Sequence, residues 1–219
     1  MNFLYVSQII AVIALISLFY RLTKSLTVRF RLHDLLIGIS ILSYSLAITT
    51  RILYSDFDQL LHTDLIVLIY EWLRILSVSM LLSGLGLMVR DAKPKINRAP
   101  IALSLIPLLL LVIHPFVMHT IVLKEVLIQI YIGGALFIAL LLFTLKSYNK
   151  KRILPALYGT LLLTTAFIYG QVSENIIGNS ESVQLLLISI STVFLAVHYN
   201  NQHKSDENQI ETEKQHATV

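Results

Sequence analysis

Apolar runs close to the length of a bilayer crossing follow one another from residue 3 to residue 199, and short basic clusters separate them. The runs are Phe3–Tyr20, Leu35–Leu53, Leu65–Val89, Pro100–His114, Ile121–Leu145, Ile153–Val172 and Val183–Tyr199. A helix rising about 1.5 Å per residue needs roughly 20 residues to cross about 30 Å of hydrocarbon. Open strands of this length would leave backbone groups unpaired in lipid, so helix is the reading. The chain is 56% hydrophobic and 14% charged, more apolar side chain than a soluble core of its length can bury. The pattern predicts an all-α fold, a polytopic membrane helix bundle of about seven transmembrane helices, spanning residues 1–199.

The breaks between runs carry their own signals. Charge and Pro94 end the third run, Pro100 opens the fourth, where a missing N–H costs nothing, and Pro107 inside the fourth predicts a kink. Pro115 and His119 predict a turn before the fifth run, and Gly178-Asn179-Ser180 one before the seventh. Residues 200–219 are polar and without apolar periodicity, which predicts a disordered tail.

Basic residues set the orientation. The first, third and fifth loops carry four each: Arg21, Lys24, Arg29 and Arg31; Arg90, Lys93, Lys95 and Arg98; Lys146, Lys150, Lys151 and Arg152. The alternate loops offer Arg51, Lys124 and none. Positive charge stays on the cytoplasmic side, so the N-terminus is expected outside and the C-terminus, with the tail, in the cytoplasm of a cell (inner) membrane. The first run has no basic residue before it and reads as a retained helix.

The same distribution narrows function. A net charge of +4 spread over loop clusters is not the continuous basic face that nucleic acid needs, so no nucleic-acid partner is expected. The absence of cysteine rules out disulfides, thiolate nucleophiles and Cys-ligated zinc or iron–sulfur clusters. His62, His114 and His119 fall on the outer side near Asp56, Asp58 and Asp64 but share no recognised ligand spacing. No HExxH, GxSxG elbow, phosphate loop or CxxCH stands in the chain, and no catalytic residue, metal or cofactor is expected.

Glu71 and Arg74 are the most informative positions. Charge inside a span is costly, on the order of 2–3 kcal/mol, and so should face the bundle interior and find a partner. Their i,i+3 spacing puts them on one face of the third helix, where they can pair with each other. At the same outer depth stand Arg51, Gln129, Tyr169, Gln171 and Glu174, with Gln8, Thr50 and Gln184 nearby. The set reads either as an outward-facing ligand cluster or as a packing cluster of the interface. Ser77, Ser79, Thr160, Thr164 and Thr165 offer an uncharged polar route through the membrane. Ser79 with Ser83, Gly84 with Gly86, and Gly133-Gly134 predict close helix contacts.

The plan resembles that of the microbial rhodopsins, and Tyr70-Glu71-Trp72 is similar to that family's aromatic–acid–Trp segment, where the acid is the Schiff-base counter-ion. Retinal attachment in that family requires a lysine in the seventh helix, and Val183–Tyr199 contains none. The layout is also similar to the seven-helix input domains of bacterial sensor proteins. The expected function is therefore that of a non-enzymatic sensor or receptor-type module, or a subunit of a membrane complex, with the lipid bilayer and a membrane or cytoplasmic protein as partners. The rivals are a small-solute transporter and a membrane enzyme with an outward-facing site.

Overall fold

The computed structural model describes residues 3–57, 63–92, 101–117, 121–149, 153–173 and 180–217. These residues are almost wholly helical: α1 (Phe3–Val28), α2 (Leu32–Phe57), α3 (Thr63–Ala92), α4 (Ile101–Ser104), a 3-10 turn (Ile106–Leu108), α5 (Leu109–Val117), α6 (Ile121–Asn149), α7 (Leu154–Ser173) and α8 (Ser180–Ala217). Five of them, α1, α2, α3, α6 and α8, are long and apolar enough to cross a membrane, and α7 holds a shorter apolar stretch, Leu154–Gly170. The chain is a helical bundle of membrane type.

The long helices close into a ring in which α2 and α7 run opposite to α1, α3, α6 and α8. α1 packs on α2, α2 on α3, α3 on α6, α6 on α7, α7 on α8, and α8 returns to α1. The segment holding α4, the 3-10 turn and α5 packs against α3, and α5 also meets α6. We call the end where α1 begins the upper end and the end where it stops the lower end.

Pro107 does what its position predicts, since it sits in the 3-10 turn that breaks this segment in two. Pro115 differs from expectation: it lies inside α5 and not in a turn. As the seventh residue of α5 it gives up the hydrogen bond that an N–H there would donate to the Leu111 carbonyl, two residues before the helix ends at Val117.

The lower half of the ring is filled by one apolar cluster drawn from every helix around it. Leu18 and Leu22 of α1, Ile37 of α2, Leu85 and Met88 of α3, Ala139 and Phe143 of α6, Ala156 of α7, and Ala196 and Tyr199 of α8 are all buried there. Glycine sets two of the close approaches. A Cβ at Gly84 would stand 2.8 Å from Cγ1 of Ile37 and 3.1 Å from the His33 carbonyl oxygen, so α3 lies nearly on the α2 backbone. A Cβ at Gly159 would stand 2.9 Å from Cγ of Leu195, and the Ser191 hydroxyl donates to the Gly159 carbonyl at 2.7 Å across the same α7–α8 contact. Gly133 and Gly134 do not act this way, because a Cβ at Gly134 would meet nothing within 4 Å.

The largest departure from expectation is the tail. Residues 200–217 do not form a separate disordered segment but continue α8 as helix, which runs for 38 residues, or about 57 Å. Ala196, Tyr199, His203 and Asp206 are buried in succession at the helical spacing of three, four and three residues. The buried stripe of α8 thus passes from apolar to polar side chains without leaving its face. A search for apolar periodicity loses it at Tyr199 for that reason.

Candidate functional site

The upper half of the ring holds a cavity of about 810 Å³ to which all six ring helices contribute lining. The two helix directions give it a layered wall. α2 and α7 end at this level, whereas α1, α3, α6 and α8 begin there. Nearest the rim stand Arg51 on α2 and Glu181 on α8. Roughly one or two turns further in come Glu71 and Arg74 on α3, Gln129 on α6, Gln184 on α8 and Gln8 on α1. Deepest are apolar side chains, among them Val78, Ile132, Phe167 and Leu185, with Tyr44 beside them. Below that floor lies the closed apolar cluster of the lower half.

Across the rim, Arg51 grips Glu181 with both guanidinium terminal nitrogens, one hydrogen bond measuring 2.9 Å. The pair is half exposed, 46% for the arginine side chain and 32% for the glutamate, so solvent reaches it and screens it. Deeper in, the Gln129 Oε1 is buried with no hydrogen-bond partner. Gly170 makes room for Gln184, since a Cβ there would come within 2.6 Å of the Gln184 amide nitrogen.

Of the cluster expected from sequence, Arg51, Glu71, Arg74 and Gln129 line this one cavity. Tyr169 is on α7 but is not part of the lining. Gln171 also belongs to α7, its side chain lying outside the described residues, as Glu174 does altogether. His62, His119, Asp58 and the side chains of His114, Asp56 and Asp64 lie outside them too. Among the described residues no group of three or more His, Cys, Asp or Glu is placed to hold a metal ion.

Glu181 and Tyr44 enter the lining without having stood out in the sequence. Glu181 belongs to a polar stretch around a turn, where a carboxylate signals nothing, and Tyr44 is one of ten tyrosines. Only closure of the ring through α1 and α8 brings Glu181 opposite Arg51.

The hydroxyls that could form a polar route are turned to their own helices. Ser79 donates to the Ile75 carbonyl at 2.6 Å, Thr160 to Leu157 at 2.9 Å, Thr164 to Thr160 at 2.8 Å and Thr165 to Leu161 at 3.0 Å. Ser77 lies 3.3 Å from Ser40 across the α2–α3 contact. None of these residues lines the cavity.

The lower end holds a second charged assembly around the link between α1 and α2. Arg31 donates to both carboxylate oxygens of Asp206 at 2.9 Å, and its other terminal nitrogen lies 3.8 Å from Asp34. His33 stands 3.5 Å from Asp34 and 3.2 Å from Asp91 at the end of α3. Asp34 is 1% exposed and Asp206 6%. These residues tie α2, α3 and the lower part of α8 to one point. Beside them is a cavity of about 430 Å³ walled by Arg29, Lys146, Met88, Phe143, His198 and Gln202, among others.

No family profile, curated protein or solved structure matches the chain.

Proposed function

We propose that this chain is a seven-crossing membrane sensor, with the N-terminus outside and the C-terminus in the cytoplasm, that binds a small ligand in the upper cavity and signals through the lower end of α8. The broken α4–α5 segment serves as the fourth crossing and α7 as the sixth. The basic clusters of the first, third and fifth loops all follow helices that descend, which makes the lower end cytoplasmic under the positive-inside rule.

One observation carries the reading. α8 contributes Glu181, Gln184 and Leu185 to the upper cavity and Gln202, Ser205 and Asp206 to the lower one, as a single unbroken helix. A ligand that alters the Arg51–Glu181 grip therefore acts on the same rigid element that Arg31 and Asp34 hold below. The partner, cytoplasmic or within the membrane, meets the part of α8 beyond the bilayer. A permanently bound partner would make the chain a subunit of a complex by the same surface.

Because the chain contains no cysteine, single cysteines report access cleanly. In intact cells, an impermeant maleimide should label Thr50→Cys and Gln184→Cys from outside but not Ser79→Cys or Thr160→Cys. Outside labelling of Ser79→Cys or Thr160→Cys would mark a through-route and replace the sensor with a transporter. Failure to label either Thr50→Cys or Gln184→Cys would remove the outward cavity from the reading.

A further inference from the structure

The lower end holds one side chain whose contacts suit only one of its two charge states. His33, in the first turn of α2, presents both ring nitrogens to carboxylates. Nδ1 stands 3.2 Å from Asp91 Oδ2 at the end of α3, and Nε2 stands 3.5 Å from Asp34 Oδ1. A neutral imidazole carries one N–H and one lone pair, so it donates to one acid and turns a lone pair on the other. The imidazolium donates to both. The Asp34 oxygen it faces is buried and has no hydrogen-bond partner among the described residues, so that N–H matters to it. The charged groups nearby are engaged elsewhere or lie further off. Arg31 holds Asp206 of α8 through two 2.9 Å hydrogen bonds and stands 3.8 Å from Asp34. Arg90 stands 3.7 Å from the other oxygen of Asp91, and Tyr199 of α8 interacts with Asp34. Arg29 just past α1, Lys146 of α6 and His198 of α8 line the same cavity as His33, while His203 faces Glu207 at 3.6 Å.

Burial decides which contact survives when the ring loses a proton. The Asp34 side chain is 2% exposed and that of Asp91 47%. Water can replace an N–H on Asp91 but scarcely reaches Asp34, so the one remaining N–H stays with Asp34 and Nδ1 lets Asp91 go. We propose that His33 is a proton-operated latch between α2 and α3, tying Asp34 to Asp91 as the imidazolium and freeing the lower end of α3 as the neutral ring. Histidine is the side chain that changes charge near neutral pH. The latch is closed toward acid pH and open toward alkaline pH. Protons reach the ring through the lower cavity of about 430 Å³, which His33 lines. The response is local. Two turns before Asp91, Gly84 lies against Ile37 and the His33 backbone, a contact with no titrating group in it, so only the last two turns of α3 are released. The Arg31–Asp206 clamp contains no histidine, and α8 stays held. The inference needs only the lower end and stands apart from the sensor reading of the upper cavity.

Two readings on the full chain in lipid nanodiscs test the latch. The chain has seven histidines, so it is labelled with ¹⁵N-histidine, and the His33 ring signals are those that vanish in His33→Gln. Ring nitrogen shifts then show whether His33 carries two protons or one as pH is raised from 5.5 to 8.5. Amide exchange over residues 86–91, corrected for the intrinsic dependence of exchange on pH, is followed across the same range. In the parent, exchange should quicken by about threefold, the size expected of a half-exposed ion pair, along the curve on which the ring loses its second proton. Exchange over residues 80–84 should not follow. In His33→Gln the change over 86–91 should disappear, and in Asp91→Asn it should disappear although the ring still titrates. A His33 ring that carries one proton throughout overturns the latch, as does exchange that stays level while the ring titrates; both are read on the parent, whether or not either variant folds. A pH response that persists in both variants assigns it to another group, such as His198 or His203, and removes His33 from the role.

Discussion

Two arginine–carboxylate clamps hold α8, one at each end of the bundle, and they differ in almost everything but chemistry. At the upper end Arg51 meets Glu181 with side chains 46% and 32% exposed; at the lower end Arg31 meets Asp206 with side chains 22% and 7% exposed. The upper clamp stands over an open cavity whose charged layer has water as an alternative partner. The lower one is braced by a second acid, Asp34, and by His33 reaching from Asp34 toward Asp91, below the apolar cluster that fills the ring. An exposed pair exchanges its partner for water or a ligand at little cost, whereas a buried one cannot lose a member without stranding the other. The bundle is therefore adjustable above and fixed below.

The sharpest way to break that contrast is to remove one arginine at a time. Arg31→Ala leaves Asp34 and Asp206 buried without their cation and should cost about 3 kcal/mol, read as a lower melting temperature together with faster amide exchange over residues 200–217. Equal exchange in the variant and the parent would mean that the clamp does not hold the tail. Next in size is Gly84→Val, which forces side-chain atoms against Ile37 and the His33 backbone and should cost about 1–3 kcal/mol, because the backbone of α2 cannot step aside as a flexible side chain can. Arg51→Ala should fall below about 1 kcal/mol. A larger loss at Arg51 than at Arg31 would invert the comparison and locate the fixed end above.

How far the sequence reaches differs between the same two regions. Run length and charge placement are local properties, and they predict a helical membrane bundle with charged residues on the third helix facing inward. Glu71, Arg74, Arg51 and Gln129 are legible as one outer group, although Arg51 stands at the rim and the others lie deeper, because charge and amide inside a span have few reasons to be there. Glu181 is not, since its role depends on which helix closes the ring, and nothing local encodes the packing of α8 on α1. The lower assembly is harder still. Arg31 reads as one of four bases in a loop, and Asp206 as one acid in a polar stretch. Their pairing across 175 positions, with His203 and Asp206 continuing the buried stripe of Ala196 and Tyr199, is a tertiary fact carried by polar residues. Periodicity of hydrophobicity cannot report a stripe whose last members are His and Asp. Gly84 and Gly133-Gly134 mark the same limit: both read as contact sites, yet only Gly84 has a neighbouring backbone to meet.

The smallest effect expected is also the one that separates adjustability from mere exposure. At Gly170 the atom that a new Cβ would meet first is the terminal amide of Gln184, 2.6 Å away, and a glutamine side chain has rotamers to spare. Gly170→Ala should therefore leave stability within about 0.5 kcal/mol of the parent, as for substitutions away from packed or buried features. The displaced amide has the cavity to move into, since Gln184 and Gly170 are both part of its wall. Affinity for whatever the cavity holds should change while the melting temperature of the empty protein does not. Gly84→Val makes the opposite demand, on a neighbour that is backbone, and should lower the melting temperature whether or not a ligand is present. If Gly170→Ala destabilises the empty protein as much as Gly84→Val does, the upper wall is as tightly specified as the lower core, and the cavity is a rigid feature of packing that no longer supports a movable response to ligand.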